Sequence, residues 1–313
     1  MKRVQNIVAE SRRTLPFTAA YAVVVWLLAG LIGQGMWLQF VCFVLSVFMM
    51  VQLNNKNLLI RIYSRLVSSS YIALSCAALF LFASPSGACL QLTAIASLFC
   101  LFNTYQNRSS AGWTYYAFLF LGLGSLTDVH VIYFMPVFWL LTMFALYSFS
   151  LRTFTASLLG FATPYWFSLA WYAWRGEGDI TIWLDHLAGI ADLQFSFSYS
   201  VLSLQHLILL SFFLILFLLG SIHFVTTSYK DKIRVRQIYY SFMTLMIYSC
   251  LLIILQPQFY QLSFHIMLIS VSPIIGHFLA LTESRLSNIL FFVLTAVVLF
   301  LSGMNLWISS SVF

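Results

Sequence analysis

The sequence predicts an all-α fold: a polytopic membrane helix bundle of about eleven transmembrane helices with a cytoplasmic N-terminus. Three observations predict it. Of 313 residues, 62% are hydrophobic and only 7% are charged, whereas a soluble domain carries about 25% charged residues. So few charges cannot cover a water-facing surface, so lipid must be the main solvent. Apolar runs close to the roughly 20 residues needed to cross a bilayer recur along the whole chain. And the basic residues fall in alternate gaps between those runs.

Taken in order, the runs are 15–33, 37–53, 69–85, 89–106, 112–127, 131–149, 154–174, 203–226, 237–255, 259–281 and 287–308. The first follows Lys2, Arg3, Arg12 and Arg13 as a signal peptide would. It is long enough to span and no small-x-small cleavage site follows, so it reads as a retained first span. Several runs are short and need packing partners or a locally thinner bilayer. The stretch 112–149 reads as two short helices broken at Asp128. A single kinked helix there would reverse the side of every later gap.

With the N-terminus inside, the cytoplasmic gaps hold Lys2, Arg3, Arg12, Arg13, Lys56, Arg61, Arg65, Arg108, Arg152, Lys230, Lys232, Arg234, Arg236 and Arg285. That is 14 of 15; only Arg175 falls outside. This is the bias of the positive-inside rule, and it fixes the predicted orientation. Asp128, Glu177, Asp179, Asp185 and Asp192 fall on the outer side; Glu10, Asp231 and Glu283 fall inside. The whole chain, 1–313, reads as one integral membrane domain, with 175–200 as its one sizeable outer (periplasmic) loop. Within that loop Ile180, Trp183, Leu184, Leu187 and Ile190 recur at helical spacing, which predicts an amphipathic helix over 179–192 lying at the interface.

The net charge of +7 does not imply nucleic acid, because the basic residues sit in short gaps beside apolar runs and form no patch. Cys42, Cys76, Cys100 and Cys250 lie inside apolar runs and read as small core residues. With no C-x-x-C pair, neither a disulfide framework nor a zinc site is expected. Gly-rich phosphate loops, H-E-x-x-H and G-x-S-x-G are all missing, so no metal or cofactor is predicted. No span carries paired carboxylates or an arginine series.

Ionisable groups at membrane depth are costly, so each is a candidate for function. Asp128 and His130 sit at the break between the fifth and sixth spans. In the plain reading they mark an outer turn, with Asp128 capping the next helix. In the sharper one they line an outward-facing cavity. Gln258, Gln261, His265 and Ser272 in the tenth span lie at offsets 0, 3, 7 and 14, one helical face. That face makes either interhelical hydrogen bonds or the polar wall of an outward cleft. Asp128, His130, Gln261 and His265, with Trp183 at the rim, therefore form the candidate outward cavity. His206, His223 and His277 read as interfacial, Asn305 as a partner for a neighbouring helix, and Asn54, Asn55 and Asn57 as solvated turn residues.

The segment Leu121-Gly-Leu-Gly-Ser-Leu-Thr-Asp128, then Pro136, Arg152 and Gly160-Phe-Ala-Thr-Pro164-Tyr165, resembles an uncharacterised family of polytopic inner-membrane proteins from Bacteroidota. The resemblance implies a bacterial inner-membrane location. More distantly the stretch is similar to polyprenyl-phosphate-dependent membrane glycosyltransferases, which work at the outer face. That group has a phosphate-binding Lys where Asp128 stands, and a carboxylate in its first outer loop where this chain has only Gln34–Met36. Three functions follow as expectations: a non-catalytic component of a cell-envelope pathway that binds a membrane-protein partner, an enzyme acting on lipid-linked sugars with a polyprenyl-phosphate lipid as partner, or a lipid or small-molecule transporter. Membrane lipids are partners in each.

Overall fold

Each apolar run folds as helix, but not each as a full-length one. The computed structural model describes residues 3–191 and 199–311, and no strand occurs among them. A short α1 (Val4–Glu10) leads into α2 (Thr14–Leu28), α3 (Trp37–Asn57), α4 (Leu66–Ala77), α5 (Pro85–Phe102) and α6 (Ala111–Thr127). After a 3-10 turn (Val129–Phe134) come the six-residue α7 (Met135–Leu140) and the long α8 (Leu151–Arg175). The remainder is α9 (Glu177–Ala188), α10 (Leu204–Thr227), α11 (Ile233–Leu255), α12 (Tyr260–Leu281) and α13 (Arg285–Ser311).

Among the described residues six helices are long and apolar enough to cross a membrane: those at Trp37–Asn57, Pro85–Phe102, Leu204–Lys230, Ile233–Leu255, Pro257–Leu281 and Arg285–Trp307. This is a multi-pass membrane protein. Three of the other runs depart from the expected length for local reasons. The run 15–33 stops being α-helical at Leu28, where Gly30 takes φ 96°. The run 69–85 tightens into a 3-10 turn, Leu79–Phe82, after α4. The run 131–149 begins as 3-10, becomes α at Met135 and ends in a π turn, Leu141–Ala145. The break at Asp128 is real: its backbone is extended (φ −144°, ψ 107°) and α6 ends there.

Two ends of the bundle are chemically distinct. At one, the gaps rich in Lys and Arg meet. Arg61 lies 3.6 Å from Asp231 and Arg234 donates to Asn57 Oδ1 (2.8 Å). Lys56 sits over Trp113 (4.8 Å), Arg12 lies near the Tyr63 ring, and Gln5 Nε2 donates to Thr282 Oγ1 (2.8 Å). At the other end His130 packs on Phe259, His265 meets Phe82, and Asn305 bonds Gln205 and Ala77 O. The interhelical role expected for Asn305 is what it performs.

Two readings are corrected at the basic end. His277 is 0% exposed, not interfacial, and its Nε2 pairs with Asp231 Oδ2 at 3.2 Å. Asn54 and Asn57 are buried rather than solvated: Asn54 donates to Ser64 O, and Asn57 donates to Leu53 O while accepting from Arg234. Both hold a chain reversal at Leu58, whose φ is 50°.

The middle is organised by α12: 94% of the residues in its most apolar 18-residue stretch are buried, against 22% for the peripheral α13. The tightest seam joins α6 and α8. A Cβ on Gly160 would lie 2.4 Å from Tyr115 O, and one on Gly122 2.6 Å from Phe161 O. In lipid, helices associate through such close backbone approach because the apolar surround gives no hydrophobic drive. The glycines in the distinctive stretch around Leu121–Asp128 therefore serve packing.

Candidate functional site

The end of α6 builds the site. A helix leaves its last carbonyls without intrahelical donors. Here Ser125 O accepts from Tyr165 Oη on α8 (3.3 Å) and from His186 Nε2 on α9 (3.0 Å). Asp128, extended just beyond, caps the following 3-10 turn: its Oδ1 accepts from His130 N (3.1 Å) and lies 2.7 Å from His130 Nδ1. Asp128 and His130, two residues apart, meet because the backbone between them is not α-helical.

The segment after α8 closes over this point. Gly176 has φ 128°, a conformation side chains disfavour, and it lets the chain double back at the end of α8. Three bonds hold α9 down: Trp183 Nε1 to Ser168 Oγ (2.9 Å), His186 to Ser125 O, and Tyr133 Oη to Ile190 O (2.6 Å). The helix expected over 179–192 occupies Glu177–Ala188, followed by a 3-10 turn at Gly189–Ala191. Asp192 lies outside the described residues.

Beneath α9 is a cavity of about 370 Å³. Ser86 and Gly87 of α5, Thr127 to His130, Asp185, His186 and Gly189, and Gln261 and His265 of α12 line it. Asp128, His130, Gln261 and His265 thus share one cavity. Trp183 does not line it; its indole is spent clamping α9 to α8. Gln258 precedes α12, in a 3-10 turn, and Ser272 bonds back to Leu268 O, so the polar face predicted along α12 is real only over its first two turns. Deeper, α12 is enclosed by protein.

The three imidazoles share a design. His265 is 2% exposed and its Nδ1 lies 2.6 Å from Gln91 Oε1. Gln91 turns its amide oxygen to this nitrogen. With the tautomer assigned from that network, Nδ1 carries the proton and Nε2 offers a lone pair beside Gly87, where a Cβ would come within 3.2 Å. Asp128 orients His130 in the same way; its Nε2 has no protein partner, and its ring stacks on Phe259 at 4.0 Å. His186 spends Nε2 on Ser125 O, which leaves Nδ1. Each imidazole is thus fixed by one nitrogen; the other is left to His265 and His186, while that of His130 is buried without a partner.

No Lys or Arg lines the cavity, and among the described residues no three His, Cys, Asp or Glu side chains are grouped to hold a metal ion. Asp185 and His186 lie in the predicted outer loop, and their place at the cavity depends on α9 folding back. Sequence reasoning missed Gln91, although a Gln in the first turn of the apolar run 89–106 is a visible signal.

Fold and site together define a class, a multi-pass helical membrane protein with a polar, imidazole-rich cavity at one end of its bundle. No family model, curated protein or solved structure matches the chain.

Proposed function

We propose that this is an enzyme of the membrane interior's outer rim, which admits a hydroxyl- or amine-bearing headgroup to the cavity and removes a proton from it. The reading includes eleven crossings of a bacterial inner membrane, with the basic end in the cytoplasm and the cavity facing out. The convergence of two carboxylates and three tautomer-fixed imidazoles on one cavity carries it. An oriented imidazole with a free lone pair can act as a general base. His265 Nε2 would take the substrate proton, with Gln91 holding the ring. Asp128, paired with His130, keeps a carboxylate at the same wall.

The lining carries Asp128 and Asp185 and no cation, so a phosphate entering it meets like charge without a counter-ion. That favours a neutral or cationic group over the phosphate of a polyprenyl donor. It agrees with the departure at Asp128, where the distantly similar glycosyltransferases have Lys.

A second reading keeps one observation in its favour. The Gln91–His265 bond joins α5 to α12 in the buried core, as a packing device would, and fits a non-catalytic component of an envelope pathway. Plasmid-borne Asp128→Asn and His265→Gln, introduced into a deletion strain of the native host, separate the two. Loss of complementation at unchanged membrane abundance supports the catalytic cavity. Full complementation by both variants rejects it, and loss of abundance favours packing.

A further inference from the structure

A second cavity, also of about 370 Å³, lies between α2 and α13, and its chemistry is the opposite of the first. The two helices are tied at one end by Tyr21 Oη donating to Ser302 Oγ (2.7 Å). At the other, α1 reaches α13 through Gln5 N donating to Asn288 Oδ1 (3.1 Å). Between these ties the helices stand apart over a floor that includes Ala73 and Leu74 of α4. The lining is apolar, and its few hydroxyls are satisfied locally: Thr18 with Ser69, Thr14 with Val8 O. Water would find almost no partners there. Protein interiors do not keep voids of this size without losing contacts on every lining atom.

We infer that this groove holds one acyl chain of an anionic phospholipid from the leaflet at the basic end. Position and charge select the occupant. The groove reaches Val8 and Thr14, and the turn between them carries Arg12 and Arg13, both exposed. Glu10 precedes them in the chain, and Glu283 follows Thr282, to which Gln5 and Asn6 bond. A chain seated between α2 and α13 puts its phosphate beside two guanidiniums, and basic sites between helices at a membrane face recognise lipid phosphates in this way. The long axis of the groove follows the helices, as a lipid chain does. The tail fills the void and gives the binding, and the headgroup at the surface gives the preference for an anionic lipid.

The test uses the full chain purified in mild detergent. Native mass spectrometry should show one retained phospholipid per chain. After delipidation, thermal unfolding is followed while dioleoyl phosphatidylglycerol or dioleoyl phosphatidylcholine is titrated in. The expected result is a saturable rise in midpoint, with phosphatidylglycerol half-saturating at about tenfold lower concentration, as two surface arginines would give. Ala73→Phe, which fills the groove, should abolish the saturable rise for both lipids. The pair Arg12→Gln/Arg13→Gln should keep the rise and erase the difference between lipids. Equal action of the two lipids on the wild type overturns the inference. So does a dimer crosslinked between Phe17 and Leu299, since a second copy would then fill the groove. If Ala73→Phe does not accumulate, the arginine pair decides alone: an unchanged preference for phosphatidylglycerol overturns it.

Discussion

Helix α12 carries a histidine near each end, and the two have opposite fates. His265 binds neutral Gln91 through one nitrogen and turns the other to an open cavity. His277 binds the carboxylate of Asp231, itself held by Arg61, and is sealed at 0% exposure. Both are buried imidazoles in the same helix. The difference lies in what surrounds them: a cavity roofed by α9 at one end, and a closed junction of the α3–α4 and α10–α11 loops at the other. A buried histidine becomes a site only where its second nitrogen meets space. Otherwise it is a lock.

The lock should be the costlier one to break. Asp231→Ala removes a carboxylate whose side chain is 2% exposed and leaves His277 unpaired. Because Arg61 retains access to water, the loss should fall at the lower end of the range for broken buried pairs, about 3 kcal/mol. Denaturation in micelles measures it, and a loss under about 1 kcal/mol would show that Asp231 is no lock. Next is the seam that positions the cavity. Gly160→Val drives a side chain into Tyr115 O, and overpacking of this kind costs about 1–3 kcal/mol. Gly112→Val, with open space around it, is the control; equal losses would remove the seam from the account.

The roof should give less. Trp183→Phe deletes the bond to Ser168, worth about 1 kcal/mol, and the effect should be local. Amide exchange within α9 should accelerate while the unfolding midpoint barely moves; unchanged exchange would mean that the roof does not depend on this clamp. The smallest effect on stability belongs to the cavity. Asp128 is 32% exposed, so Asp128→Asn should change stability by less than about 1 kcal/mol while complementation is lost. A large drop in stability would make Asp128 a structural residue like Asp231.

The pattern of apolar runs made the helices legible, and the placement of Lys and Arg made the two ends legible. The break at Asp128 was also readable, since two runs separated by Thr-Asp-Val-His cannot share one helix without reversing the later charges. Within the site the record is uneven. Asp128, His130, Gln261 and His265 stood out because polar groups are rare in such runs. Trp183 was expected at the rim from its amphipathic spacing, but spacing does not say which neighbour an indole will find. It found Ser168. The sequence puts His277 close to a helix end, which reads as interfacial; the loop that folds over it is a long-range feature that the sequence does not display.

What the sequence determined alone is the class of solvent, the helical content and the separation of charge between the two ends. These follow from composition and period, which act along the chain one helix at a time. Only the tertiary structure decided which helix is central, how closely α6 and α8 approach, and which histidine faces a cavity. Those depend on contacts between residues far apart in sequence, such as Gln91 with His265 and Asp231 with His277. No local pattern encodes them, because in lipid every helix face is apolar and the partner is chosen by shape and by a few buried hydrogen bonds.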